Sequence, residues 1–158
     1  MWPTHFQNFA ELSAFLVQHI AHTDGAFSFM EIKPGLTLGD VRRVIGEPEE
    51  PSDENDEQQT LEFSAPIDHA THGMRDHHKL KALFWAFQHE PVHAIRLRFD
   101  YFRWGQDSDV FDTSLRSLCD VLIQKLGAPA KQSNRKGKRE LSYVQGKRKL
   151  TLLEGEEG

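Results

Sequence analysis

Val41-Arg42-Arg43-Val44-Ile45-Gly46-Glu47-Pro48 and Leu122-Ile123-Gln124-Lys125-Leu126-Gly127-Ala128-Pro129 match at the glycine, at the proline and at the two flanking apolar positions. Each stretch reads as the end of an amphipathic helix. Glycine takes the left-handed conformation that closes the last turn, and a proline two residues on cannot continue the helix. The match extends downstream: Gly46 lies fifteen residues before Leu61 and Gly127 fourteen before Leu141, and each leucine opens a strand-like run. A helix with one apolar stripe must bury it, so two copies laid on one sheet give a two-layer α+β domain. The expected architecture is an antiparallel sheet with helices packed on one face, made of two helix–strand–strand repeats over 34–101 and 112–154. An N-terminal helix over 8–20 precedes them, within a single domain spanning 1–158.

The N-terminal helix follows from Phe9, Leu12, Leu16 and Ile20 at spacings of three and four, with Asn8 as its cap. Thr37-Leu38-Gly39-Asp40 has the pattern of a capping box, so a short helix runs from there to Ile45 with Leu38, Val41 and Ile45 on its apolar face. Asp112 or Thr113 is the expected cap of the next helix, whose stripe is Leu115, Leu118, Cys119, Leu122 and Leu126. Strands are expected over Ala26–Ile32 and Thr60–Ala65, and a hairpin joins Leu80–Gln88 to Val92–Tyr101 across His89-Glu90-Pro91. A second hairpin turns at Gly146 between Glu140–Gln145 and Lys147–Glu154.

Composition narrows the function classes. The 158 residues are 38% hydrophobic, with eleven Phe and three Trp, which is enough to bury one core. The start Met1-Trp2-Pro3-Thr4-His5-Phe6 has no basic leader, and no run is apolar enough for a membrane span. The lone Cys119 forms no internal disulfide, in keeping with a reducing compartment, so a cytoplasmic location is expected. The net charge of −5 is unevenly spread: residues 47–57 hold seven acids and no base, and residues 131–149 hold eight bases and one acid.

The segment from Pro34-Gly35-Leu36-Thr37 through Val41 to Ile45-Gly46-Glu47-Pro48 resembles the helix–turn signature of the small outer-membrane-assembly lipoproteins and the β-lactamase-inhibitor-like fold. Fifteen residues carry the resemblance in the first copy and eight in the second. It implies a binding module, since members of that fold are mostly binders and some are inhibitors. The chain departs from the lipoprotein branch in having neither signal peptide nor lipid-attachment cysteine near its start, so membrane anchoring is not carried over.

Four constellations can carry chemistry. His69, His72, His77 and His78, beside Asp68 and Asp76, are of the right type to ligate a divalent metal, although a polar loop that happens to be His-rich accounts for the same residues. Cys119 can be read as a thiol nucleophile, but its place on the helix stripe favours a core thiol. The basic stretch with Tyr143 offers cations for phosphates and a ring for a base, against the alternative of a solvated hairpin edge. Glu47, Glu49, Glu50, Asp53, Glu54, Asp56 and Glu57 repel one another without a counter-charge and gain from a basic partner, or else form a solubilising loop. Trp104, at the end of a strand, is a candidate interface anchor. No catalytic motif and no cofactor site is legible. The reading is a protein-binding module with a basic protein partner, of the inhibitor or immunity type that neutralises a toxin, with no nucleic acid or membrane as main partner. The alternatives are a structural or assembly subunit and, third, a metal-dependent enzyme built on the histidine loop.

Overall fold

Asn8 opens the first helix, α1 (Phe9–His19), by accepting a hydrogen bond from the Glu11 N–H at 2.9 Å. The computed structural model describes residues 1–23, 26–51, 56–67, 78–100, 108–135 and 137–154. The chain leaves α1 at Ile20 directly into β1 (Ile20–Thr23), which pairs antiparallel with β2 (Ala26–Phe29). The expected strand over 26–32 therefore ends early. Met30 and Glu31 turn the chain with φ of 49° and 70°, leaving Ile32 as an isolated bridge to Phe29.

The capping box forms as read: at α2 (Leu38–Ile45) the Thr37 side chain accepts from the Asp40 N–H, and Asp40 accepts from the Thr37 N–H. Gly46 closes that helix at φ 123°, ψ −168°, a region open essentially to glycine alone. The sheet strands are β3 (Glu50–Pro51), β4 (Gln58–Pro66), β5 (Lys79–Phe87) and β6 (Ala94–Asp100). Helix α3 (Ser108–Leu126) follows, then β7 (Lys131–Ser133), β8 (Glu140–Gln145) and β9 (Arg148–Glu154). Helix α3 starts four residues before the expected cap at Asp112. Phe111 lies one turn before Leu115 and is buried, so it lengthens the apolar stripe toward the N-terminus.

The seven strands line up as β3-β4-β5-β6-β9-β8-β7, and a separate two-stranded sheet is β1-β2. The expectation of a purely antiparallel sheet is corrected here: β6 and β9 pair in parallel, with Ile95 opposite Leu150 and Leu97 opposite Leu152. Parallel neighbours need a crossover, and the chain between these two strands supplies it with α3. β6 takes its direction from its hairpin with β5 and stands between that strand and β9. Both outermost strands lie in stretches that read as loops in the sequence. They are two and three residues long and carry Pro51 and Lys131, the features that keep a sheet edge from pairing further.

One sheet face, built from Leu61, Phe63, Leu80, Phe84, Leu97, Leu152 and Leu141, packs against Leu12 and Leu16 of α1, Val41 and Ile45 of α2, and Leu115, Leu118 and Leu122 of α3 in one buried cluster. Tyr143 also belongs to this inner face, its hydroxyl donating to the Gly127 carbonyl at 2.9 Å. Tyr143 is therefore not available to stack on a base, which removes the ring from the nucleic-acid reading.

Candidate binding face

Alternation along the strands sends every second side chain to the side away from the helices. The registers align these outward residues in rows. Trp85, Ala94, Lys149 and Val144 form one, and Glu62, Leu83, Arg96, Thr151 and Ser142 the next. Within these rows Ser142 and Thr151 are buried, while Arg96, Lys149 and Val144 are exposed. Arg96 is exposed, and its guanidinium carbon stands 4.7 Å from the centroid of the half-buried Trp85 ring, a cation–π contact. The Trp85 indole N–H is buried and has no acceptor among the described residues.

A third row carries ions. Arg98 holds Asp100 with two bonds, Nε to Oδ1 at 2.8 Å and Nη2 to Oδ2 at 3.1 Å. Lys81 bridges Glu62 at 3.6 Å and Asp100 at 3.9 Å. Lys131 pairs with Glu140 at 3.3 Å near the far edge. This network neutralises itself. Among the described residues, Lys79, Arg96 and Lys149 of this face have no carboxylate within ion-pair reach.

At the opposite edge the acidic stretch is partly compensated, which corrects the expectation of acids without counter-charge. Arg42 at the end of α2 reaches Glu47 at 3.5 Å, and Glu49 accepts from the Ser64 hydroxyl at 2.8 Å. Glu50 lies opposite Glu62 in the sheet, and Asp56 and Glu57 are exposed just before β4. Asp53 and Glu54 lie outside the described residues, as does Trp104.

The other candidate sites dissolve or fall outside view. His69, His72 and His77, with Asp68 and Asp76, lie outside the described residues. His78 is buried, its ring 4.5 Å from that of Phe111 in an edge-on contact, so it belongs to the core and not to a surface metal loop. Among the described residues no group of three His, Cys, Asp or Glu side chains could hold a metal ion, and no helix is long and apolar enough to cross a membrane. No family model, curated protein or solved structure matches this chain.

The signal for the open face was present in β5, whose inward Leu80, Ala82, Phe84 and Ala86 alternate with outward Leu83, Trp85 and Phe87. A strand that is apolar on both faces at one end of a solvated sheet marks a surface that gains from being covered.

Cys119 is buried, and that burial pushes its thiol up to about 11 from an ordinary 9.0, so a nucleophilic role is excluded by its setting. The unfolded thiol ionises from about pH 9 while the folded one stays neutral until about 11, so stability falls across that window as pH rises. Roughly 2–3 kcal/mol of this alkaline loss is assigned to the thiol. Urea unfolding of Cys119→Ala at several pH values checks it: the variant loses less stability than wild type between pH 9 and 11.

Proposed function

We propose that the chain is a cytoplasmic protein-binding module, of the inhibitor or immunity type, that engages its partner through the open face of the sheet. One observation carries the reading: Trp85 lies half-buried under Arg96 on the sheet face away from the described helices, with no acceptor for its buried indole N–H among the described residues. Tryptophan and arginine at the centre of a patch are the side chains that dominate binding energies, and a buried donor without an acceptor gains when a partner supplies one. Glu49 and Glu50 at the β3 edge, with Glu47 after α2 and Asp56 and Glu57 before β4, steer a basic surface toward that face.

The unit that builds the face is, in this reading, used twice. Helix α2, Gly46, Pro48, edge strand β3 and strands β4 and β5 follow one another in the same order as α3, Gly127, Pro129, edge strand β7 and the hairpin β8–β9. Two such units placed tail to tail around β6 yield one wide face with a short charged strand at each end, which is consistent with the binding role implied by the resemblance of residues 34–48.

Affinity capture from the source cell's lysate, with mass spectrometry of what is retained, tests the function. Trp85→Ala is expected to weaken capture by about 2 kcal/mol or more. Neutralising Glu47, Glu49, Asp56 and Glu57 is expected to slow association at low salt and leave dissociation nearly unchanged. Equal retention by wild type and Trp85→Ala would overturn the proposal.

A further inference from the structure

Arg96 and Lys149 stand on adjacent strands, and the parallel register that sets Ala94 opposite Lys149 makes them diagonal neighbours. Such neighbours lie about 7–8 Å apart, within reach of long side chains, so two cations share one spot on the sheet. Both are exposed, and neither has a carboxylate within ion-pair reach among the described residues. The chain is not short of acids. Its net charge is −5, and it answers Lys81, Arg98 and Lys131 of the same face with Glu62, Asp100 and Glu140. Lys79, the third cation left over, lies six residues, about 20 Å, along β5 from Trp85.

Arg96 is also held in a particular way. Its guanidinium carbon lies 4.7 Å from the Trp85 ring centroid. A cation–π contact uses the flat face of a guanidinium and leaves its N–H fork in the plane, the arrangement that takes a carboxylate by two parallel bonds. Between Trp85 and Lys149 the row holds only the methyl of Ala94, so two strand spacings, about 9–10 Å, separate the indole position from the lysine position. Exposed Phe87 lies beyond Trp85 on β5, and exposed Val144 lies beyond Lys149 on β8.

Aromatic and cationic side chains together also suit nucleic acid, but here the rings are engaged within the chain. Arg96 lies over Trp85, His93 stacks on Phe87 at 4.8 Å and 11°, and Tyr143 is in the core. A base needs a ring face to stack on, whereas a carboxylate needs only the fork. We infer that the partner engages this face with an acidic side chain, its carboxylate held between the Arg96 guanidinium and the Lys149 ammonium, with apolar neighbours resting on Phe87 and Val144. Trp85 positions Arg96 for this contact. The inference rests on the proposed protein-binding role of the face, and it adds that a partner steered by the acids near β3 carries, within its basic surface, an acidic group for the centre.

The probe is a capped pentapeptide of alternating Leu and Glu, titrated into isotope-labelled protein at constant salt. The same peptide with Gln or Lys in place of Glu, and a thymidine oligonucleotide, are the comparisons. The readout is the Trp85 indole N–H resonance, assigned through Trp85→Phe, while the Trp2 indole, bonded to the Ser64 carbonyl, reports on the fold. The Glu peptide is expected to move the Trp85 resonance saturably and to bind about tenfold or more tighter than the Gln peptide, the worth of a hydrogen bond to a charged group. Arg96→Gln with Lys149→Gln is expected to abolish that preference, while binding the Gln peptide as before and leaving the Trp2 resonance in place. Equal binding of the Glu and Gln peptides, tighter binding of the Lys peptide or the oligonucleotide, or a preference that survives in the double variant would each overturn the inference. If the Glu peptide has no advantage while lysate capture still depends on Trp85, the carboxylate site is refuted and the proposed function stands. If capture is also indifferent to Trp85, both fall.

Discussion

Replacing Arg139 by alanine is expected to cost about 3–5 kcal/mol of folding stability, the range for removing one member of a buried ion pair. Arg139 is 3% exposed and reaches two acids from separate elements: Nη2 donates to Asp112 Oδ1 of α3 at 2.7 Å, and Nη1 lies 3.9 Å from Glu154 Oε1 at the end of β9. Its backbone is tied to the same strand, since the Glu154 N–H donates to the Arg139 carbonyl at 2.9 Å. Alanine removes this cation from beside the buried Glu154 carboxylate, which still accepts from the backbone N–H of residue 139 at 3.3 Å. Asp112 loses its 2.7 Å bond to Arg139 and keeps only the more exposed Arg116 at 3.5 Å.

A companion variant separates charge from volume. Arg139→Met together with Glu154→Leu removes both ions and keeps the space filled, and it is expected to recover most of the loss, because the desolvation of two ions disappears with their attraction. Urea unfolding of the three proteins side by side measures this. If Arg139→Ala unfolds within about 1 kcal/mol of wild type, as an exposed pair would, the cluster does not hold the end of β9 against α3.

The parts of the fold that were legible in the sequence are those decided by neighbours in the chain. Thr37 and Asp40 form their capping box because both partners lie within one turn, and Gly46 ends α2 because its backbone conformation admits little else. The stripe of α3 was legible for the same reason. Ile20 shows where local pattern runs out: it fits the helix period after Leu16 and equally opens β1, and only its pairing with Phe29 decides between them. The parallel pairing of β6 with β9 joins residues more than fifty positions apart, and no local signal encodes its direction. Likewise, the acidic stretch was visible as composition, while the place of Glu50 on an edge strand, three and four strands from Arg96 and Lys149, follows from strand order alone. Tyr143 was misjudged because its basic neighbours are exposed, whereas the pleat turns Tyr143 itself to the core.

Replacing Phe29 by alanine is the other change of large expected effect, about 3–5 kcal/mol. Phe29 has no exposed surface and lies where four parts of the chain meet. Its ring centroid is 6.2 Å from Phe15 of α1, 6.4 Å from Trp2 of the N-terminal arm and 6.2 Å from Phe84 of β5, while its own backbone belongs to the β1–β2 hairpin. Trp2 is in turn fixed by its indole N–H, which donates to the Ser64 carbonyl of β4 at 2.9 Å. Removing the ring takes away its transfer free energy and leaves a void that a sheet on one side and a helix on the other cannot easily close. Phe29→Leu keeps most of the volume and is expected to cost less than half as much, since the edge-on contacts with Trp2 and Phe15 are worth only about 0.5–1.5 kcal/mol each. Against a total stability of about 5–15 kcal/mol, the alanine variant is expected to unfold at clearly lower urea and to lose near-ultraviolet dichroism from Trp2 first. A Phe29→Ala protein as stable as Phe29→Leu would show that the arm, α1 and the hairpin are held by backbone pairing instead of this aromatic hub.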